Sequence, residues 1–279
     1  MRIEVNQIYY HVKVVGQGPT LMLLHGFTGS MENWEPLIQA LSPFYQLVLV
    51  DILGHGQSDS PSDPNHYDIE QICDDLIQIL TELKLDKIHL LGYSMGGRLA
   101  LTFAIKYPDR VFSLILESAS PGIDSKEERE ERRNKDRILA DFIEEKGIEA
   151  FVDYWENIPL FSTQKQLPLD LQQRIRSNRL KNNPLGLANS LRGMGTGQQP
   201  SWWDHLSQFE LPVLIITGEK DEKFCRIGQQ MANRLRDSKH IIVEHAGHTV
   251  HLEQPAQYIN ILKNHLALHK TKEDYYNGY

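Results

Sequence analysis

The segment Gly92-Tyr93-Ser94-Met95-Gly96-Gly97 restricts the possible folds of this chain more than any other stretch. It follows a short apolar run at residues 87–91 and precedes a helix-like stretch at 98–106. That order predicts a strand, a sharp turn and a helix. Glycines flank Ser94 because a strained elbow that lifts its hydroxyl off a sheet edge leaves no room for a β-carbon on either side.

The remaining chain reads as the sheet such an elbow needs. Residues 3–5 and 8–15, parted by Asn6-Gln7, predict a leading antiparallel hairpin. Residues 20–24, 46–51, 87–91 and 113–117 are short, rich in Leu, Ile and Val, and followed by turn residues, as buried parallel strands are. Between them, residues 69–83 repeat apolar side chains at helical spacing (Ile72, Leu76, Ile79, Leu80, Leu83), with Asp68 placed to cap the start. After Ser120-Pro121-Gly122 the chain turns charged, and it holds no convincing strand for the next 70 or so residues. Pro159, Pro168 and Pro184 break this stretch into amphipathic pieces, and it ends in Gly193-Met194-Gly195-Thr196-Gly197, which no strand precedes and which reads as a flexible return from the cap. Strands resume at 212–217 and 240–244, a helix at 255–268 closes the fold, and the tail at 275–279 reads as a loose end. The expectation is an α/β chain with a mostly parallel central sheet flanked by helices. Its core spans 1–117 and 206–279, interrupted by a helical cap at 118–205.

Composition excludes several classes. With Lys+Arg 29 against Asp+Glu 37 the formal charge is −8, unsuited to a sequence-independent grip on nucleic acid. Cys73 and Cys225 are too few for a disulfide framework and are not spaced as metal ligands. The first residues carry no apolar signal core, and no run approaches a membrane span, so a cytoplasmic location away from membranes is expected.

A nucleophilic serine needs a base, and the base needs an orienting carboxylate. Both follow in order: 212–217 runs into Gly218-Glu219-Lys220-Asp221, and 240–244 runs into His245-Ala246-Gly247-His248. Each lies just past a strand's carboxyl end, where open α/β sheets build their sites. Ser94 is therefore read as the activated hydroxyl, His248 as its base and Asp221 as the orienter. Glu117 is a rival for the orienting role, while Glu219 and Glu222 read as solvated loop charges. His245, His248 and His251 are numerous enough for a metal but lack a matching ligand set, so no metal is expected and His245 and His251 read as surface or packing residues. Leu23-Leu24-His25-Gly26-Phe27 ends a strand in a glycine turn that can aim the Phe27 amide into the site opposite that of Met95, forming an oxyanion hole. The loop 51–58 reads as a support beside that turn, with His55 a scaffold residue.

Together, His25-Gly26, the loop 51–58, the elbow, Asp221 and Gly247-His248 resemble the α/β-hydrolase fold family over essentially the whole chain. Four further features are similar to one branch, the menaquinone-pathway 2-succinyl-6-hydroxy-2,4-cyclohexadiene-1-carboxylate synthases. They are Arg98 directly after the paired glycines; Ser120-Pro121-Gly122-Ile123 running into a Glu/Arg-rich helix; Asp153-Tyr154-Trp155-Glu156-Asn157; and Arg176-Ser177-Asn178-Arg179 followed by Asn182-Asn183-Pro184. The resemblance implies a cofactor-independent lyase that eliminates pyruvate from a small polycarboxylate substrate, with Ser94 as general base. It implies that Arg98, Arg132 and Arg179 bind carboxylates and that Tyr93 and Trp155 form walls. Arg129 and Arg176 stand as alternatives one helical turn away, and a serine hydrolase of esters or C-C bonds is the other chemistry this triad allows. The cap holds 13 Lys+Arg and 14 Asp+Glu, so nearly all the net acidity belongs to the core. A local basic pocket in the cap is compatible with an acidic protein.

Overall fold

The computed structural model describes residues 1–269. The tail expectation at 275–279 lies outside them. An eight-stranded sheet runs through the core in the order β1-β2-β4-β3-β5-β6-β7-β8. Its strands are β1 (Arg2–Val5), β2 (Ile8–Val15), β3 (Thr20–Leu24), β4 (Gln46–Val50), β5 (Ile88–Tyr93), β6 (Val111–Glu117), β7 (Val213–Gly218) and β8 (Ser238–Val243). The hairpin β1–β2 joins β4 antiparallel, and every pairing from β4 through β8 is parallel. All the parallel strands therefore end at one edge, so the loops after β3, β5, β7 and β8 converge there.

The central strands are unbroken apolar runs because both faces are covered. Met22, Leu24, Val48, Val50, Leu90 and Leu116 face one hydrophobic cluster, while Leu21, Leu23, Leu47, Leu49, Leu91 and Ile115 face another. This is the two-residue period of a strand seen with apolar residues in both phases. Helices α2 (Ile69–Glu82), α3 (Met95–Lys106) and α7 (Glu222–Ala232) cover the first face, and α1 (Glu35–Leu41), α8 (Val250–Glu253) and α9 (Pro255–Leu268) the second. In α2, Ile69, Ile72, Cys73, Leu76, Ile79 and Leu80 are fully buried, which covers the stripe that the spacing predicts except Leu83, half-buried at the C-cap.

Between β6 and β7 lies the cap. It consists of α4 (Lys126–Trp155), α5 (Leu169–Leu180) and α6 (Pro184–Met194), with a short 3₁₀ segment at Pro159–Gln166. Gly147, at φ 80°, breaks α4 into two helical pieces. The cap has its own small core, in which Ala140, Ile143, Phe151 and Val152 of α4 meet Leu187, Ala188 and Leu191 of α6. It sits on the loop after β4 by backbone contact. A β-carbon on Gly54, itself at φ +80°, would lie 2.6 Å from the Gly186 carbonyl oxygen. Asn182 fastens the same junction, accepting from the Gly56 amide at 3.0 Å and donating to the Thr28 carbonyl at 2.9 Å.

The glycine run at 193–197 is not a loose return. Gly193 lies inside α6, and none of the three glycines has a positive φ. β-carbons here would stand 2.5 Å from Tyr67 Cβ at Gly193, 2.6 Å from Asp136 Oδ2 at Gly195 and 2.7 Å from the Arg129 carbonyl at Gly197. These glycines are required by close packing.

Asp68 caps α2 by accepting from the Glu70 and Gln71 amides at 2.9 and 3.1 Å. Asp68→Ala leaves both amides to solvent and is expected to cost about 1 kcal/mol, read as a lower urea midpoint with unchanged slope.

Candidate active site

Ser94 sits between β5 and α3 at φ 51° and ψ −106°, a conformation that L-residues rarely adopt. Its amide is held by the Glu117 carbonyl at 2.8 Å. A β-carbon on Gly96 would stand 2.5 Å from the His25 carbonyl oxygen, and one on Gly97 2.5 Å from Ala119 Cβ. The elbow therefore exists only because small residues let α3 press against β3, β5 and the end of β6.

His248 lies in the loop after β8 with its Nε2 3.0 Å from Ser94 Oγ. Its Nδ1 lies 2.6 Å from Asp221 Oδ2. Asp221 follows β7 and starts α7, where its other carboxylate oxygen accepts from the Phe224 amide. With Nδ1–H donating to the carboxylate, Nε2 is left to accept the serine proton. The rings of Phe224, Tyr93 and Phe161 surround the imidazole at 4.7, 5.4 and 6.1 Å and exclude water from the couple.

The rival carboxylate takes a different partner. Glu117 is fully buried and binds the amide and Nδ1 of His251, the latter at 2.8 Å. His251 is thus a core residue. His245 is exposed, and its amide donates to Glu219, while Glu222 lies exposed on the first turn of α7. Among the described residues no group of three or more His, Cys, Asp or Glu side chains is placed to hold a metal.

Phe27 and Met95 line the same cavity as Ser94. Met95 opens α3, so its amide has no carbonyl of a preceding turn to meet. Phe27 stands in a turn closed by the Gly29 amide on the Gly26 carbonyl at 3.0 Å. A β-carbon on Gly26 would stand 2.6 Å from the Tyr93 ring and 3.5 Å from Ser94 Cβ, so the turn is pressed against the elbow. His25 fixes the turn. Its Nε2 accepts from the Ile52 amide at 3.0 Å, which leaves the ring proton on Nδ1 for the Gly26 carbonyl at 2.8 Å. Burial pushes the His25 ring down in pKa, which keeps this neutral tautomer. His55 packs edge-on to Phe27, and burial, with some help from His25, pushes it down to about 3. Asp51 holds the supporting loop by accepting from the Met31 and Gln57 amides at 2.7 and 2.9 Å.

Ser94 opens into a cavity of about 280 Å³ between core and cap. Tyr93, Arg98, Arg132 and Trp155 line it together with Phe27, Met95 and His248. Arg98 is buried, and burial together with repulsion from Arg132 lowers its guanidinium to about 10, so it stays charged at neutral pH. Arg132 is half-buried and shares its Nε with Asp136 Oδ1 at 2.8 Å. Arg129 turns away to donate to the Ile123 carbonyl, and Arg176 pairs at the surface with Asp153 and Glu156. Arg179 is buried but not in this cavity. It lines a separate recess of about 30 Å³, with its guanidinium stacked on Phe161 at 4.9 Å and donating to Gln164 Oε1 at 3.0 Å. Phe27, Tyr93 and Phe161 form the partition between the two spaces. The structure thus gathers Ser94, His248, Phe27, Met95, Tyr93, Trp155, Arg98 and Arg132 around one cavity, with Asp221 behind His248, and leaves Arg179 behind the Phe161 ring.

Sequence reading missed Lys223, Asp136 and Ser118, all of which line the cavity. Lys223 was findable, two positions after Asp221 on an amphipathic helix. Ser118 was not, because only the fold gives it a left-handed φ of 47° and a buried hydroxyl without a partner.

The alpha/beta hydrolase fold family matches residues 19–255. A Bacillus subtilis (strain 168) protein provisionally named as a 2-succinyl-6-hydroxy-2,4-cyclohexadiene-1-carboxylate synthase is 51% identical over 258 residues, 91% of this chain and 94% of that protein. The chain belongs to this synthase family of the α/β-hydrolase fold. A second member, the synthase of Photorhabdus laumondii subsp. laumondii, is 31% identical over 92% of this chain and 88% of its own length. The solved structure of MenH from S. aureus aligns with a TM-score of 0.89 at 36% identity, covering 94% of this chain and 99% of that one. Among the described residues of this synthase-family chain, no helix is long and apolar enough to cross a membrane.

The buried histidines set an acid limit on this α/β-hydrolase fold. His55 and His265 fall to about 3 on folding, chiefly through burial, against an ordinary 6.5. Between those values the unfolded chain binds more protons, so stability falls as pH drops from about 6.5 towards 3. His55→Gln is expected to flatten that slope by up to about one proton, measured by urea unfolding at a series of pH values.

Proposed function

We propose that the chain eliminates pyruvate from 2-succinyl-5-enolpyruvyl-6-hydroxy-3-cyclohexene-1-carboxylate, giving 2-succinyl-6-hydroxy-2,4-cyclohexadiene-1-carboxylate, the compound for which its relatives are named. The observation that carries this reading is a hydrogen-bonded Ser94–His248–Asp221 triad whose serine and histidine line one cavity with two guanidinium groups, Arg98 and Arg132. A hydrolase of neutral esters has no need of a desolvated arginine beside its serine. A polycarboxylate does, because guanidinium forks bind carboxylates through paired donors.

In this mechanism Arg98 and Arg132 take the carboxylates and fix the ring over Ser94, with Trp155 and Tyr93 as walls. His248 Nε2 withdraws the Ser94 proton, and the serine oxygen removes a proton from the substrate as a general base. Asp221 stabilises the imidazolium that results. The Phe27 and Met95 amides receive the enolate-like charge. Its collapse forms the new ring C=C bond and breaks the C–O bond to the enolpyruvyl group, which leaves as the pyruvate enolate and takes the His248 proton to become pyruvate. Serine stays free of acyl groups throughout.

Pyruvate release on supplying the substrate, measured beside a p-nitrophenyl ester panel, tests the reading. Ser94→Ala should lower the rate by about 10²- to 10⁴-fold, the range for loss of a positioned base, with circular dichroism unchanged. No pyruvate, rapid ester cleavage and an acyl-serine in the mass spectrum would establish the serine hydrolase instead. Arg132→Leu should raise KM by about 10- to 100-fold, the worth of a charge-assisted hydrogen bond, whereas Arg129→Leu and Arg176→Leu should leave it within about twofold.

A further inference from the structure

Arg98 is a buried cation held in an unusual way. Among the described residues no carboxylate hydrogen-bonds to it; Asp136, near enough to act on its charge, is held through Oδ1 by Arg132 at 2.8 Å and leaves Oδ2 without a partner. The acceptors it does have are neutral. Its Nη1 donates to the Met194 carbonyl at 2.7 Å and to Gln199 Oε1. Both belong to the segment at 193–199 that carries the glycine run, whose packing has no role in the triad chemistry.

We propose that this segment is a clamp, and that Gln199 is a positioning residue which fixes Arg98 by neutral oxygens, adding no further negative charge to that of Asp136 at the cavity. A carboxylate in the place of Gln199 would orient Arg98 equally well but would cancel the field a substrate carboxylate feels. An amide oxygen and a peptide carbonyl orient it at no such loss, and they are in place before the ligand arrives.

The clamp is rigid for reasons visible in its sequence. The three glycines bring its backbone against Tyr67, Asp136 and the backbone of Arg129 and Arg133, where any β-carbon would overlap. Arg133 Nε donates to the Gly197 carbonyl at 2.9 Å, and the Gln198 and Gln199 amides donate to the Gly195 carbonyl at 2.9 and 3.2 Å. Gln199 is itself 1% exposed. Gly122, at φ +104°, makes room for its amide, since a β-carbon there would stand 3.0 Å from Gln199 Nε2. Sequence features far apart, the Ser-Pro-Gly turn and the glycine run, thus serve one hydrogen bond. Because the clamp belongs to the cap and Arg98 to the core helix α3, docking of the cap and readiness of the anion site are the same event.

The proposal rests on the reading that Arg98 meets a substrate carboxylate, so its test includes a binding measurement that needs no turnover. The probe is tricarballylate, a simple tricarboxylate, titrated by calorimetry into the parent, Gln199→Glu and Gln199→Leu. Thermal unfolding confirms that each folds, and Gly195→Ala, which displaces the clamp without altering Gln199, is measured beside them. Gln199→Glu should weaken probe binding by about 10- to 100-fold, and Gln199→Leu by a smaller factor, with the loss in turnover falling on KM rather than kcat. Folded variants that bind the probe as the parent does, a parent that does not bind it, or a loss confined to kcat would each overturn the clamp. If the parent binds the probe in a Gln199-dependent way but releases no pyruvate, the clamp stands and the proposed reaction falls. If pyruvate is released and Gln199→Glu leaves KM unaltered, the reaction stands and the clamp falls.

Discussion

Everything at the sheet edge depends on the strained backbone of Ser94. A non-glycine residue at φ 51° and ψ −106° costs on the order of 1–3 kcal/mol, and it persists only where its surroundings leave no alternative. Here those surroundings are close-packed: the Glu117 carbonyl on its amide, Gly96 against the backbone at the end of β3, and Gly97 against Ala119 just past β6. The gain is compactness. Within one turn of chain the elbow presents Tyr93, Ser94, Met95 and Arg98 to the same cavity.

The two buried carboxylate–histidine couples show how position decides role. Asp221–His248 and Glu117–His251 have nearly the same geometry, at 2.6 and 2.8 Å, and the Tyr93 ring touches both imidazoles. In the first couple the second ring nitrogen meets Ser94 Oγ at the cavity. In the second, that nitrogen has no partner among the described residues and the ring lies 4.5 Å from Trp34 in the core. The same pair of side chains therefore withdraws a proton in one place and ties a short helix to the end of a strand in the other.

The sheet was legible because buried parallel strands are apolar in both phases, a pattern few other structures share. The boundaries drifted where that reason fails. β5 runs on to Tyr93 because the elbow keeps Gly92 and Tyr93 extended, though glycine is a poor strand residue. β8 begins at Ser238 because its side chains, at the sheet's edge, are half exposed. Order along the chain and strand ends were enough to bring Ser94, Asp221 and His248 together. The cap was legible only as helical. Which arginine of each pair points inward depends on helix rotation, and Arg132 over Arg129 is settled by α4 packing on α6. Arg179 was beyond reach, since the ring that separates it from Ser94 belongs to a 3₁₀ segment with no periodic signal. The glycine run looked slack because composition records small side chains without recording what presses on them.

The junction of Gly54 with Gly186 has a consequence for how such a protein can change. Cap and core meet there peptide group on peptide group, with the Tyr67 ring and Ser60 hydroxyl closing around them and Asn182 fastening the junction on two backbone atoms. The alignment of the halves is thus largely independent of the side chains that line the space between them. Those side chains can be exchanged, and the shape and charge of the cavity redrawn, while the roof stays registered over the serine. A scaffold joined in this manner separates the inheritance of its geometry from the inheritance of its selectivity.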